Sequence, residues 1–432
     1  INVRTTEERA FVDDTEAIVR LGSMLLESGT GSYRVKRAMH RAAVALGMDR
    51  HDASVSLTEI IATAHRGDNF RTVMREVYRV RVDAARISAL EHLSRNLPEP
   101  CTAERLEAEL DRISRTVRSS WKPWQNTVAG GVACAGFAIL NRFTPIDALV
   151  VLLAASTGQY VRRRLGSRWL NQFGVAALAA ALAGLVYLTI ATIFEATGQP
   201  VLRGVNGPGY VASLLFLVPG FPMITSILDM ARLDFTAGLS RAAYSMGLVV
   251  SATLSAWIMS LASGMTPLPA EFTLPGAWQW IAFAVATFLG VAGFAILFNS
   301  TPRMVLMAAA LGTVGNLVRL ALGQMGMPNQ LAAGLGGLTI GLITAPLAPR
   351  QELPRITLTV PACVIMVPGA AMYRMMYWLS SDTLQALGYG AEAILTVVCI
   401  ASGLAVARML TDPHWAFSKP IPSPHAFRSQ PD

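Results

Sequence analysis

The chain has 432 residues, 53% of them hydrophobic and only 15% charged, whereas a soluble globular domain carries about 25% charged residues. Its formal charge is +8, but the basic residues gather in the first 122 positions and in short stretches between apolar runs, which excludes a nucleic-acid-binding face and suits loops beside a membrane. Cys101, Cys134, Cys363 and Cys399 have no paired spacing, so they read as small core hydrophobes, with no disulfide framework, metal site or cofactor.

The first residues are polar and of mixed charge, and no signal peptide is read there. Residues 15–47 predict two helices, the first with Ile18, Leu21, Leu25 and Leu26 at helical spacing. Between them lies Gly29-Thr30-Gly31-Ser32, which lacks the Gly-Lys-Ser/Thr ending of a nucleotide loop and offers Ser32 as an N-cap. Val55 to Ala64 and Arg71 to Val77 suit strands, with Gly67-Asp68-Asn69 as their turn. Helices are expected over 82–97 and 102–120, divided by Pro98 and Pro100. His40, His51, His65 and His92 lack zinc spacing. Glu59 and His65 share a strand face, where an acid/base pair competes with plain surface polarity. Trp121, Lys122 and Trp124 suit a membrane interface.

A spanning helix needs about 20 apolar residues. Ten such segments are expected: 126–142, 145–161, 170–194, 210–228, 238–262, 279–299, 302–322, 329–348, 358–378 and 387–410. With the first domain inside, the inner loops carry Arg162, Arg163, Arg164, Arg168, Arg232, Arg241, Arg303, Arg350, Arg355 and, where the tail begins, Arg408. The outer loops offer only Arg142 and Arg203, so both ends are placed in the cytoplasm. Gly334-Leu335-Gly336-Gly337 with Gly341 reads as helix packing. The Pro-rich tail from Asp412 (Pro413, Pro420, Pro422, Pro424, Pro431) reads as disordered and cytoplasmic.

The apolar part repeats itself. Gly136-Phe137-Ala138-Ile139-Leu140 with Thr144-Pro145 returns as Gly293-Phe294-Ala295-Ile296-Leu297 with Thr301-Pro302, 157 positions on. Gln159 falls on Asn316 and Arg162 on Arg319 at the same offset. Val218-Pro219-Gly220 with Met223 is echoed, at an offset of 149, by Val367-Pro368-Gly369 with Met372. Five spans per copy is an odd number, so the second copy is inverted, as in secondary transporters. The expected fold is mostly α: ten transmembrane helices as two inverted five-helix repeats, plus a small N-terminal α+β cytoplasmic domain. The divisions are 1–122, 123–265, 266–411 and a tail, 412–432.

Leu25-Leu26-Glu27-Ser28-Gly29-Thr30-Gly31-Ser32-Tyr33-Arg34-Val35, followed by a strand pair and ten spans, resembles the bacterial threonine/serine exporter family over nearly the whole chain. The resemblance implies an exporter of small hydroxy amino acids in the cytoplasmic membrane, driven by the proton motive force and not an enzyme. Relatives with split halves are associated with dicarboxylate export, so a proton-coupled dicarboxylate exporter is the alternative. A membrane-tethered enzyme in residues 1–122 and a channel are weaker readings, and a homo-oligomer stays open.

Prolines near the middles of two spans break them, and helix ends then offer partial charges to a zwitterion. The substrate-site candidates are Pro219, Gly220, Met223, Pro368, Gly369, Met372, the amides Gln159 and Asn316, and Arg374. Pro222 is read as a second break in the first copy. For proton coupling the carboxyl candidates are Glu392, then Asp229 and Asp147, and a simple proline kink or an interfacial anchor is the bland alternative at each place.

Overall fold

The computed structural model describes residues 6–78, 81–168, 170–197, 209–263 and 272–417. Arg203, the opening five residues and the tail prolines from Pro420 lie outside this set. The N-terminal unit packs a helical hairpin, α1 (Thr6–Glu27) and α2 (Ser32–Ala45), on an antiparallel sheet of β1 (Arg50–Val55), β2 (Glu59–Arg66) and β3 (Asn69–Glu76), in that order. Two further helices, α3 (Ala84–Arg95) and α4 (Ala103–Thr116), complete it. Ile18, Leu21 and Leu25 meet Met39, Ile60, Leu90 and Leu106 in its dry core. β2 buries Ile60, Ala62 and Ala64 and turns the alternate positions outward, as a pleat with one apolar face requires.

The strand expected from Val55 to Ala64 is in fact a hairpin. Ser56-Leu57-Thr58 turns the chain, with the Ser56 hydroxyl accepting from Glu59 N–H, and β1 pairs Val55 with Ile60 and Arg50 with His65. The polar run Arg50 to Ser54 hides this strand, because ladder hydrogen bonds come from the backbone whatever the side chains are. Gly67 takes φ +58° in the next turn, and Asn69 already belongs to β3. Glu59 and His65 sit at opposite ends of β2, about 20 Å apart at the rise of a strand, so they form no acid/base pair. His65 stacks on Phe70 instead.

A helix bundle follows: α5 (Pro123–Leu140), α6 (Pro145–Gly166), α7 (Gln172–Ala196), α8 (Gly209–Ala212), α9 (Gly220–Met230) and α10 (Phe235–Ser263). Then come α11 (Ala277–Leu297), α12 (Pro302–Gln324), α13 (Asn329–Arg350), α14 (Ile356–Val364), α15 (Gly369–Trp378), α16 (Thr383–Thr411) and the short α17 (Pro413–Ala416). Among the described residues six helices (α7, α10, α11, α12, α13 and α16) are long and apolar enough to cross a membrane, or eight if each of two bent pairs is one span. The pairs are 209–230, bent by 59°, and 356–378, bent by 48°. Where ten spans are expected, α5 and α6 fall short of that standard: α5 opens on Gln125-Asn126-Thr127, and α6 carries Asp147 and Arg162 to Arg164. Large apolar side chains such as Leu185, Ile193, Leu254, Leu289 and Leu395 point outward, a surface that a bilayer would cover.

Helix crossings in the two halves use equivalent residues. A side chain on Gly136 would strike Ala286 O and Gly290, and one on Gly293 would strike Ala129 O and Ala133, so the α5–α11 contact exchanges with itself under the 157-residue offset. Gly158 lies against Ala179 and Ala183 as Gly315 lies against Gly336 and Ile340. Arg142 and Asn299, again 157 apart, both take left-handed φ, 62° and 53°, in the turns after α5 and α11.

Candidate functional site

The two broken helices meet at their breaks. Pro219 precedes α9 with φ −80°, ψ 58°, and Pro368 precedes α15 with φ −82°, ψ 60°. Neither can continue a helix through its ring, and glycine follows each because the partner break lies on it. A Cβ on Gly220 would come within 3.1 Å of Val364 and 3.4 Å of Val367. One on Gly369 would come within 2.6 Å of Leu215 and 3.0 Å of Val218. Phe137 and Phe294 close the crossing, which leaves no room for a water molecule. Two helix N-termini, each carrying about half a positive charge, therefore converge on a shut, apolar constriction. Pro222 is no second break: it sits in the first turn of α9, where a missing N–H leaves no intrahelical bond unmade.

The remaining candidates occupy separate places. Met372 is buried and Met223 half-buried in the core around the crossing. Gln159 donates to Asn126 Oδ1 at 2.9 Å, and its buried Oε1 has no partner. Asn316, fully buried, donates to Thr287 Oγ1 at 2.8 Å and accepts from Arg319 Nε at 2.8 Å. Arg374 is half-buried beside Tyr389, 5.7 Å from the ring centre, with its Nε unpaired. Asp147 forms a capping box with Thr144 at the start of α6. Glu392 is half-buried on α16, and its carboxyl has no hydrogen bond or ion pair among the described residues.

Asp229 makes the junction between the bundle and the N-terminal unit. The N-cap of α2 is Gly31, not the expected Ser32, and it has no side chain to offer. The carboxylate of Asp229 supplies the cap from 197 residues away, accepting Ser32 N–H at 3.1 Å. The Ser32 hydroxyl and Lys36 Nζ each donate to Asp234 Oδ2 at 2.7 Å. Arg241, 1% exposed, donates to Thr30 O at 2.6 Å and stands 3.1 Å from Asp229 Oδ2, an ion contact without hydrogen-bond alignment. The Gly-Thr-Gly-Ser loop thus binds an anion after all, and the anion is the chain's own carboxylate. Sequence reading missed this because nothing local marks the partner; the available signal was a carboxylate and a guanidinium bordering apolar segments.

A second docking point uses the α11–α12 turn. Asn299 donates to Asp83 Oδ1 at 2.9 Å and accepts Ser120 N–H at 2.9 Å, and Trp121 Nε1 donates to Ser300 O at 2.7 Å. Within the N-terminal unit, burial opposes the charge on Glu91, but Arg34 at 2.5 Å and Arg95 at 2.7 Å hold its carboxyl below the usual range. Burial, with His40 adding to it, pushes His51 down to about 4.

Apolar helices, with two bent pairs that cross at their breaks and a small α+β unit docked on one end, mark a multi-pass membrane protein. Residues 16–263 match the family described as "Putative threonine/serine exporter", and 283–410 match "Threonine/Serine exporter, ThrE"; the chain belongs to the threonine/serine exporter family. It is 24% identical to a "Threonine/serine exporter" of Corynebacterium glutamicum over 93% of this chain and 84% of that one. It is also 27% identical to the "Probable succinate transporter subunit YjjP" of Escherichia coli, over 60% of this chain and 96% of that one. No solved structure matches the chain.

Proposed function

We propose that this protein exports threonine and serine across the bacterial cytoplasmic membrane, driven by protons, through alternating access of two inverted five-span repeats. The observation that carries the reading is the reciprocal crossing of the two Val-Pro-Gly breaks, in which each half presents equivalent positions to the other: Val364 and Val367 against Gly220, Leu215 and Val218 against Gly369. Such self-complementary contacts are what a local twofold generates, and paired broken helices are where secondary transporters hold their solutes. The closed crossing is then the occluded arrangement. On opening, the N-termini of α9 and α15 offer N–H groups to the solute carboxylate, and the unpaired Gln159 Oε1 offers an acceptor to its ammonium. Asp147 and Asp229 are held by structural partners, so Glu392 is the carboxyl assigned to the proton. In this scheme α5 and α6 also cross the bilayer, residues 1–122 and 412–432 face the cytoplasm, and the halves divide as 123–265 and 266–411.

A second reading, dicarboxylate export, is favoured by one feature: Arg374 keeps an unpaired, buried Nε beyond the second break. Counterflow in proteoliposomes separates the two. Vesicles preloaded with threonine should accumulate labelled threonine, with competition by serine but not by succinate and a response to a pH gradient. Folded protein that shows no such uptake would rule out the amino-acid assignment, and uptake of labelled succinate in its place would establish the second reading.

A further inference from the structure

We propose that the junction between the N-terminal unit and the helix bundle contains a binding site for a small oxyanion, a carboxylate or phosphate group, formed by Arg34, Arg232, Arg408 and Trp415. These side chains line a cavity beside the Asp229 cap. About 30 Å³ of it admits a water-sized sphere, within about 330 Å³ of empty space that continues to solvent. One water needs roughly 10–15 Å³, so the enclosed part holds about two oxygen-sized centres.

The walls are cationic and under-satisfied. Arg34 is 6% exposed; its Nη1 pairs with Glu91, but its buried Nη2 has no acceptor. Trp415 is 5% exposed and its indole N–H has none either. The Nε groups of Arg232 and Arg408 are buried and unpaired as well. Nearby carboxylates are already engaged. Asp229, the acidic residue in the lining, caps α2 and faces Arg241; Asp234 holds Ser32 and Lys36; Glu91 is shared between Arg34 and Arg95. Asp412 approaches Arg408 only to 3.7 Å. Arg232 meets a carbonyl, His414 O at 2.8 Å, and the faces of Tyr33 and Trp415.

Buried cations and donors without acceptors are costly, and guanidinium groups pair best with the two oxygens of a carboxylate or phosphate. One such group in the cavity would satisfy donors from four elements together: α2 through Arg34, the α9–α10 turn through Arg232, α16 through Arg408 and α17 through Trp415. A ligand that bridges these elements favours the docked arrangement over any in which they part. The site stands on this geometry alone and does not depend on which solute is exported.

The test uses the full chain in detergent micelles, melted with increasing inorganic phosphate or succinate against sodium chloride of equal ionic strength. The melting temperature should rise with the logarithm of anion concentration, and calorimetry should show a dissociation constant raised at least about tenfold in Arg408→Gln. Trp415→Phe keeps the ring against both arginines and removes only the N–H, so it tests the site even if Arg408→Gln fails to fold, and it should weaken binding severalfold. Phosphate alone acting would point to a phosphorylated solute, and succinate acting would point to a carboxylate. The proposal is overturned if neither anion exceeds chloride, or if both variants bind as tightly as the parent.

Discussion

At the scale of the residue, the decisive group is the buried pair of Asp229 and Arg241, 4% and 1% exposed. Each takes its worth from partners on the N-terminal unit, so removing one leaves the other as a buried, uncompensated charge. Asp229→Asn or Arg241→Met should each destabilise the chain by about 3–5 kcal/mol. The double variant should lose clearly less than the sum, as read from melts in detergent. Gly31→Ala tests the same contact differently. Its φ of −66° and ψ of 152° suit any residue, so the whole effect comes from a Cβ placed 2.9 Å from Asp229 Oδ1. A second residue-level effect is pH dependence. His51 stays neutral in the folded chain down to about pH 4, whereas an unfolded histidine takes its proton near 6.5. The contribution of His51 to stability is therefore full above pH 6.5 and declines as pH falls from there towards 4, because the unfolded state binds the extra proton. The depressed carboxyl of Glu91 acts in the same direction, below its ordinary 4.5. Melting temperatures measured stepwise between these limits should fall less steeply in His51→Gln than in the parent.

At the scale of the element, packing of small residues sets the cost of change. A methyl on Gly136 or Gly293 meets backbone atoms of the facing helix at 2.6 Å, which no side-chain rotation can relieve. Gly136→Ala and Gly293→Ala should each force α5 and α11 apart and cost about 1–3 kcal/mol. Gly323→Ala, on α12 in open space, should be neutral or slightly stabilising, up to about 1 kcal/mol from helix propensity. Comparing the three by thermal melting separates crossing contacts from a general sensitivity of membrane helices to substitution. These elements were largely legible from sequence. Bilayer thickness imposes a length that hydropathy displays, and Pro219-Gly220 and Pro368-Gly369 announce their breaks because proline cannot donate within a helix. What stayed hidden was β1, whose polar residues pair through backbone alone. The docking contacts were hidden for a different reason: Ser32 and Asp229 are 197 residues apart, and neither carries a local sign of the other. The candidate site was legible only in its breaks; that they cross each other depends on how the whole bundle folds together.

At the scale of the whole molecule, the loops sort into two ends. Besides the two docking turns, Arg303 bonds Gln351, Arg355 bonds Thr411 Oγ1 at 2.8 Å, and Arg232 bonds His414 O at 2.8 Å, which joins the start of α12 to the α13–α14 turn, that turn to the end of α16, and the α9–α10 turn to α17. At the other end Phe272 N–H reaches Arg142 O at 2.9 Å, linking the α10–α11 connection to the α5–α6 turn. This is the alternation that results if α5, α6 and each bent pair all cross once, and the arginine-rich loops then fall on the docked side, as cytoplasmic loops do. Single cysteines placed at the exposed Arg142 and Arg303, in a background without the four native cysteines, test it with a membrane-impermeant maleimide. Arg142→Cys should label in intact cells, and Arg303→Cys only after the membrane is opened. Those two residues follow equivalent helices of the two repeats, so labelling from opposite sides would mean that the copies enter the bilayer from opposite faces. Labelling from the same side would leave the reciprocal crossing of the breaks intact but would remove inversion as its cause, and with it the simplest route to alternating access.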